Sequence, residues 1–151
     1  MRRWLLAGCL AAGLASAQSE GERQFEAGRI ADRQNWEWRA KQGLQPTEAE
    51  KASQAVADAI AQRDCARAAS QLNAGVAKGH PELMLLAGAM YEEGVCLKPS
   101  WERAISFYEK AAAAGRPEAM ARIAAGYAAP AGGRDAAAAL WWALKAKTAL
   151  P

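Results

Sequence analysis

Apolar side chains recur along this chain at helical spacing, not in the alternation of a strand. Ala49, Ala52, Val56, Ala59 and Ile60 mark one face of a helix over about Glu48 to Gln62, and Thr47 with Glu50 forms a capping box at its start. That face is mostly small, so close packing against a neighbour is expected. Asp64 caps a second helix to about Lys78, ended by Gly79. Pro81 starts a third in the first-turn position that tolerates a missing amide donor, and it runs to about Glu92. Leu83, Ala87, Met90 and Tyr91 form its inward stripe, while Glu82, Leu85, Ala89 and Glu93 turn towards another face. After the loop from Gly94 to Pro99, Ser100 caps a fourth helix, in which Trp101, Ala104, Ile105, Tyr108, Ala111 and Ala112 keep the spacing until Gly115 closes it. Pro117 starts a fifth, with Met120, Ile123, Ala124 and Tyr127 inward. The next connection, Pro130 to Gly133, is two residues shorter than the preceding loop and lacks its cysteine. A last helix from about Asp135 to Ala149 is then expected to set Trp141 and Trp142 where Phe107 and Tyr108 stand.

These helices repeat. A shift of 36 positions superimposes Arg67 on Arg103, Ala68 on Ala104, Ser70 on Ser106, Gly79 on Gly115 and Pro81 on Pro117. It also superimposes Glu82 on Glu118, Met84 on Met120, Ala89 on Ala125 and Tyr91 on Tyr127. Such self-similarity at a fixed period marks a repeat array. The pattern therefore predicts an all-α chain, with residues 47–151 as a helical repeat domain of about two and a half to three helix pairs. As the last element, the final helix has a face without a neighbouring repeat. Apolar surface there is available to bind something, including a second copy, unless Lys145 and Lys147 keep it solvated.

The start of the chain has a different character. Residues 1–17 carry Arg2 and Arg3, an apolar run from Trp4 to Leu14, and small residues Ala15, Ser16 and Ala17, which read as a secretory signal peptide cleaved after Ala17. The competing reading takes Leu6, Ala7, Gly8 and Cys9 as a lipobox, which makes Cys9 the anchor of a lipoprotein, although only Trp4 and Leu5 then separate the charges from the box. The run is too short for a spanning helix, which needs about 20 apolar residues. Residues 18–46 are polar, with Phe25, Ile30, Trp36 and Trp38 scattered through an irregular helix that Gly43 and Pro46 end. Its aromatic residues are expected to cap the repeat array; a stacking site for a ligand is the alternative. The expected compartment is the periplasm or the exterior.

Composition narrows the function. The hydrophobic fraction of 52% is largely alanine, so stability must come from the few large side chains at helical spacing. Lys and Arg number 19 against 16 Asp and Glu, and loss of Arg2 and Arg3 leaves 17 against 16. A near-neutral chain with interspersed charges lacks the basic patch that nucleic-acid binding requires. With Cys9 removed, Cys65 and Cys96 remain, and an even count in an oxidising compartment predicts one disulfide. There is no Cys-x-x-Cys pair, and a single histidine offers little for a metal.

The sequence offers no catalytic constellation. His80, the only histidine, sits in the turn Gly79, His80, Pro81, and its counterpart one period on is Arg116, so the position asks for a polar turn residue. Glu92 and Glu93 are adjacent, about 100° apart on a helix, and read as solvated. No phosphate-cradling loop, zinc-protease motif or nucleophile elbow is present. The chain reads as no enzyme, with no cofactor or catalytic metal.

The run LAGAMYEEGVCLKPSWERAISFYEKAAAAGRPEAM resembles the Sel-one-like repeats, a tetratricopeptide-related family of helical hairpins of about 36 residues. The resemblance covers roughly Asp64 to Ala149 and weakens before Asp64, and the loop after Tyr127 departs from it, with Pro130 where Gly94 stood. It implies a short right-handed solenoid of antiparallel hairpins whose concave face binds a protein or peptide. Glu82, Leu85, Ala89, Glu118, Arg122 and Ala125 are the candidate binding residues on that face. Loops of adjacent repeats stack on one edge of such a solenoid, which makes a bond between Cys65 and Cys96 reasonable. Two functions from different classes follow: an adaptor or scaffold of the cell envelope, or an immunity or inhibitor protein that neutralises a secreted toxin or hydrolase. The partner is a protein in both, and the chain itself is expected to be a monomer or weak homo-oligomer.

Overall fold

The computed structural model describes residue 34, residues 37–129 and residues 134–149. The signal-peptide and lipobox readings, Phe25, Ile30, Trp36 and the connection Pro130 to Gly133 lie outside the described residues. After a helical turn at residues 37–41, six helices follow one another: α1 Glu48–Ala61, α2 Cys65–Ala77, α3 Pro81–Glu93, α4 Trp101–Ala113, α5 Pro117–Ala128 and α6 Ala136–Ala149. No strand occurs among the described residues, and the protein is all-α.

The helix ends are set by local chemistry. The Glu50 amide donates to Thr47 Oγ1 at 3.2 Å and the Thr47 amide donates to Glu50 Oε2 at 2.7 Å, so both halves of the capping box are made. The amide of Arg67 donates to Asp64 Oδ1 at 3.0 Å, and that of Arg103 to Ser100 Oγ at 3.3 Å. Pro81 and Pro117 open α3 and α5. Gly79 and Gly115 take φ of 79° and 88°, a backbone conformation that side-chain-bearing residues rarely adopt.

Contacts are densest within three successive pairs, α1 with α2, α3 with α4, and α5 with α6; between pairs, α1 and α2 both meet α3, and α4 packs on α5. Two clusters fill these joints. Val56 and Ala59 of α1, Ala68 and Leu72 of α2, and Leu83, Ala87 and Met90 of α3 form the first. Tyr108 and three alanines of α4, Ala119, Met120 and Ile123 of α5, and Ala146 of α6 form the second. Buried positions recur at the sequence period, Ala68 with Ala104, Leu72 with Tyr108, Leu83 with Ala119 and Ala87 with Ile123. The volumes compensate: the first cluster combines Leu72 with Leu83, whereas the second combines a larger Tyr108 with a smaller Ala119.

Three helical glycines, Gly75 against Leu83, Gly88 and Gly126, allow close approach of the helices. A Cβ on Gly88 would lie 2.3 Å from Tyr108 Cε1, and one on Gly126 would lie 1.8 Å from Trp101 Cη2. Trp101 meets the Tyr127 ring edge-on with centroids 6.0 Å apart, and Tyr91 stacks on Phe107 at 5.7 Å. The disulfide expected of Cys65 and Cys96 is present, with Cα atoms 4.9 Å apart, and joins the first residue of α2 to the loop after α3. It therefore ties the first helix pair to the second.

The register of α6 corrects the expectation for its tryptophans. Asp135 Oδ1 accepts from the Ala138 amide at 2.9 Å, which makes Asp135 the N-cap and the counterpart of Ser100. The Tyr91 carbonyl accepts from the Ser100 amide, and the Tyr127 carbonyl accepts from the Asp135 amide, both at 2.9 Å. Measured from tyrosine to cap, the second connection is one residue shorter, not two. Trp142 thus stands at the place of Phe107, Trp141 at that of exposed Ser106, and Ala146 at that of buried Ala111. At the other end, Trp38 is 59% exposed, and the turn that carries it is tied to α1 by an ion pair between Arg39 and Glu50.

Candidate functional site

The six residues singled out in the sequence lie on α3 and α5, the first helices of the second and third pairs. Glu118, Arg122 and Ala125 are exposed on α5, whereas Glu82, Leu85 and Ala89 are half-buried on α3. Leu85 packs against the second core cluster, so it belongs partly to the core and only partly to an open face.

Charge links the two helices at two levels. Arg116, in the turn before α5, places Nη1 3.5 Å from Glu82 Oε1 and Nε 3.9 Å from Glu118 Oε2. It therefore brings Glu82 and Glu118, one period apart, onto a single guanidinium. Further along, Arg122 Nη1 lies 3.6 Å from Glu92 Oε2, and the same oxygen accepts from the Tyr108 hydroxyl at 2.6 Å. Glu82 begins α3 and Glu92 nearly ends it, while Arg116 precedes α5 and Arg122 lies at its middle. The two helices consequently run in the same direction, bridged by these side chains.

Burial of the Tyr108 ring, reinforced by its bond to Glu92, pushes the phenol far above its ordinary value. Tyr108 stays a neutral donor, suited to hold the carboxylate, not to exchange protons. Glu92, expected to be solvated, is instead half-buried and bonded. Arg116 thus joins Glu82 to Glu118, and Glu92 joins Arg122 to Tyr108, two groups that sequence reasoning did not assemble. The available signal was Tyr108 itself, because a tyrosine in a buried stripe needs a partner for its hydroxyl.

Elsewhere the chemistry is sparse. His80 precedes α3 as Arg116 precedes α5, and neither side chain bonds the helix start it caps. Among the described residues, no group of three or more His, Cys, Asp or Glu side chains is placed to hold a metal ion. No helix among them is long and apolar enough to cross a membrane. No protein-family model matches the chain, and comparison with curated proteins finds no match. A functional reading must come from the geometry of α3 and α5.

Proposed function

We propose that the chain is a short right-handed solenoid of tetratricopeptide-like hairpins, exported to the periplasm or beyond, that binds a protein or peptide along the face formed by α3 and α5. It acts as a non-catalytic adaptor or scaffold. The observation that carries this reading is the parallel, doubly bridged arrangement of those helices, Glu82 to Arg116 at one level and Glu92 to Arg122 at the next. Recurrence of the same buried positions at the sequence period supports it as well. Glu118, Arg122 and Ala125 offer a polar, exposed row with small side chains between charges, a surface suited to hydrogen bonding an extended or helical segment.

Capture from the native envelope tests this, with the oxidised protein as bait and Glu118→Lys plus Ala125→Glu as the control. Both positions are exposed, so the control should keep its helical signal and melting point. A single partner retained by the protein and lost by the double variant is the expected result. Equal capture by both forms would remove this face from consideration. An adaptor's partner would be an envelope component; a secreted toxin or hydrolase bound at nanomolar strength or tighter would instead favour the neutralising role.

A further inference from the structure

Helix α6 carries apolar residues on two opposite sides. One side, with Ala146 and Trp142, packs towards α5 and the second cluster. On the other, Leu140, Trp141 and Leu144 are 62%, 55% and 56% exposed. At about 100° per residue, Ala137, Leu140, Trp141, Leu144 and Thr148 all lie within about 60° of one line along the helix. The corresponding places on α4, matched through the caps Ser100 and Asp135, are Glu102, Ile105, Ser106, Glu109 and Ala113. The repeat thus has polar Ser106 and Glu109 where α6 has Trp141 and Leu144, whereas Leu140 takes the place of Ile105, which packs against the second cluster; repeat geometry alone does not require the tryptophan and the second leucine of the ridge.

Charge identifies what would cover it. Lys145 and Lys147 lie about 80° to either side of the ridge line. α6 contains no acidic residue; exposed Arg134 precedes it, and the neighbouring Asp135 carboxylate is engaged as the cap. The Lys145 ammonium sits 4.7 Å from the Trp141 ring centroid and 5.0 Å from that of Trp142, at the margin between the indoles and solvent. A second copy seated ridge to ridge would bring no carboxylate from its own α6 to these lysines. An apolar ridge with tryptophan at its edge and lysines on both flanks matches the interface of an anionic bilayer, where the ridge enters the acyl boundary and the ammonium groups reach phosphates.

We infer that α6 is a membrane-surface docking helix, which lays Leu140, Trp141 and Leu144 onto an anionic lipid leaflet without crossing it. The ridge uses no residue of α3 or α5.

Co-sedimentation with vesicles tests the inference, using phosphatidylcholine alone and phosphatidylcholine mixed with phosphatidylglycerol. The protein is taken as the expressing cell exports it, its first residue read by mass spectrometry; if the apolar start is retained, the difference between wild type and variants remains the readout. Partition onto the mixed vesicles should fall about tenfold or more in Leu140→Gln plus Leu144→Gln, because the lost contacts are apolar. It should fall roughly 20-fold in Lys145→Gln plus Lys147→Gln, and with added salt in the wild type. All four positions are exposed, and circular dichroism checks that both variants stay folded. Equal partition of wild type and the leucine variant, or no preference for the anionic vesicles, would overturn the assignment. So would a lipid-free dimer, seen by sedimentation velocity, that the leucine substitutions dissociate.

Discussion

The Tyr108 hydroxyl donates to Glu92 Oε2 at 2.6 Å, and this one bond connects α4 to α3 while Arg122 of α5 approaches the same oxygen. Three helices from two pairs therefore share one carboxylate. Tyr108→Phe keeps the ring but leaves half-buried Glu92 with the arginine alone, and should cost about 1–2 kcal/mol in urea unfolding. The pH dependence has a defined sign. The folded phenol is raised above its ordinary value of 10.0, so its contribution is complete below pH 10 and declines as pH rises further, where only the unfolded chain loses the proton. The loss of stability above that pH should be smaller in Tyr108→Phe than in wild type.

Gly126 and Trp101 give a second prediction. A Cβ 1.8 Å from the indole edge cannot be accommodated unless Trp101 or the backbone of α5 moves. Gly126→Ala should destabilise by about 1–3 kcal/mol despite its better helix propensity. Trp101→Leu, itself destabilising, should remove most of that penalty when the two are combined. A double-mutant cycle in chemical denaturation reads the coupling; additive effects would show that the contact does not limit this joint.

The disulfide predicts a difference between oxidising and reducing conditions. Cys65 and Cys96 close a loop of 31 residues, so chain entropy assigns the bond about 3–4 kcal/mol. Reduction, or Cys65→Ser with Cys96→Ser, should lower the unfolding free energy by that order. The bond crosses from the first pair to the second, so amide exchange should accelerate most in α1 and α2, which keep only Val56, Ala59, Ala68 and Leu72 of the first cluster once parted from α3. Equal acceleration in α6 would show that the chain unfolds as one unit.

Helix existence and order were legible because capping residues, prolines and glycines bracket each apolar stripe. The caps at Thr47, Asp64 and Ser100 function as their types suggest. Self-similarity also located part of the core, since Ala68 and Ala104, one period apart, are both buried, although Ala89 and Ala125 are not. What the pattern did not yield depends on distances between helices. Glu92 reads as solvated because it and Glu93 do not face one another on the helix, yet its partner Tyr108 lies 16 residues away on the facing helix. The periodicity of α3 sets Leu85 on the open face with Glu82 and Ala89, but the second cluster reaches it. The tryptophans of α6 were misassigned by one place because loop length was counted between helix ends; the Tyr127 carbonyl and Asp135 amide define the register instead.

The capping box at the start of α1 gives the last prediction. The Glu50 carboxyl is held below its ordinary value of 4.5, first by the Thr47 amide and then, against a smaller opposing effect of burial, by the Thr47 hydroxyl interaction and the Arg39 guanidinium. A carboxyl depressed in the folded state contributes stability above its unfolded value and loses it as pH falls through the folded one. Thr47→Ala should therefore cost about 1 kcal/mol at neutral pH, the usual cost of an N-cap oxygen. Glu50→Gln keeps a side-chain oxygen for the Thr47 amide but gives up the charge. It should be destabilising at neutral pH, and the gap from wild type should narrow as pH falls below 4.5 and through the lowered folded value, where the wild-type carboxyl also becomes neutral. A gap that stays constant from neutral to acid pH would mean that the box is held by hydrogen-bond geometry alone, with the Arg39 ion pair adding nothing to the anchoring of residues 37–41.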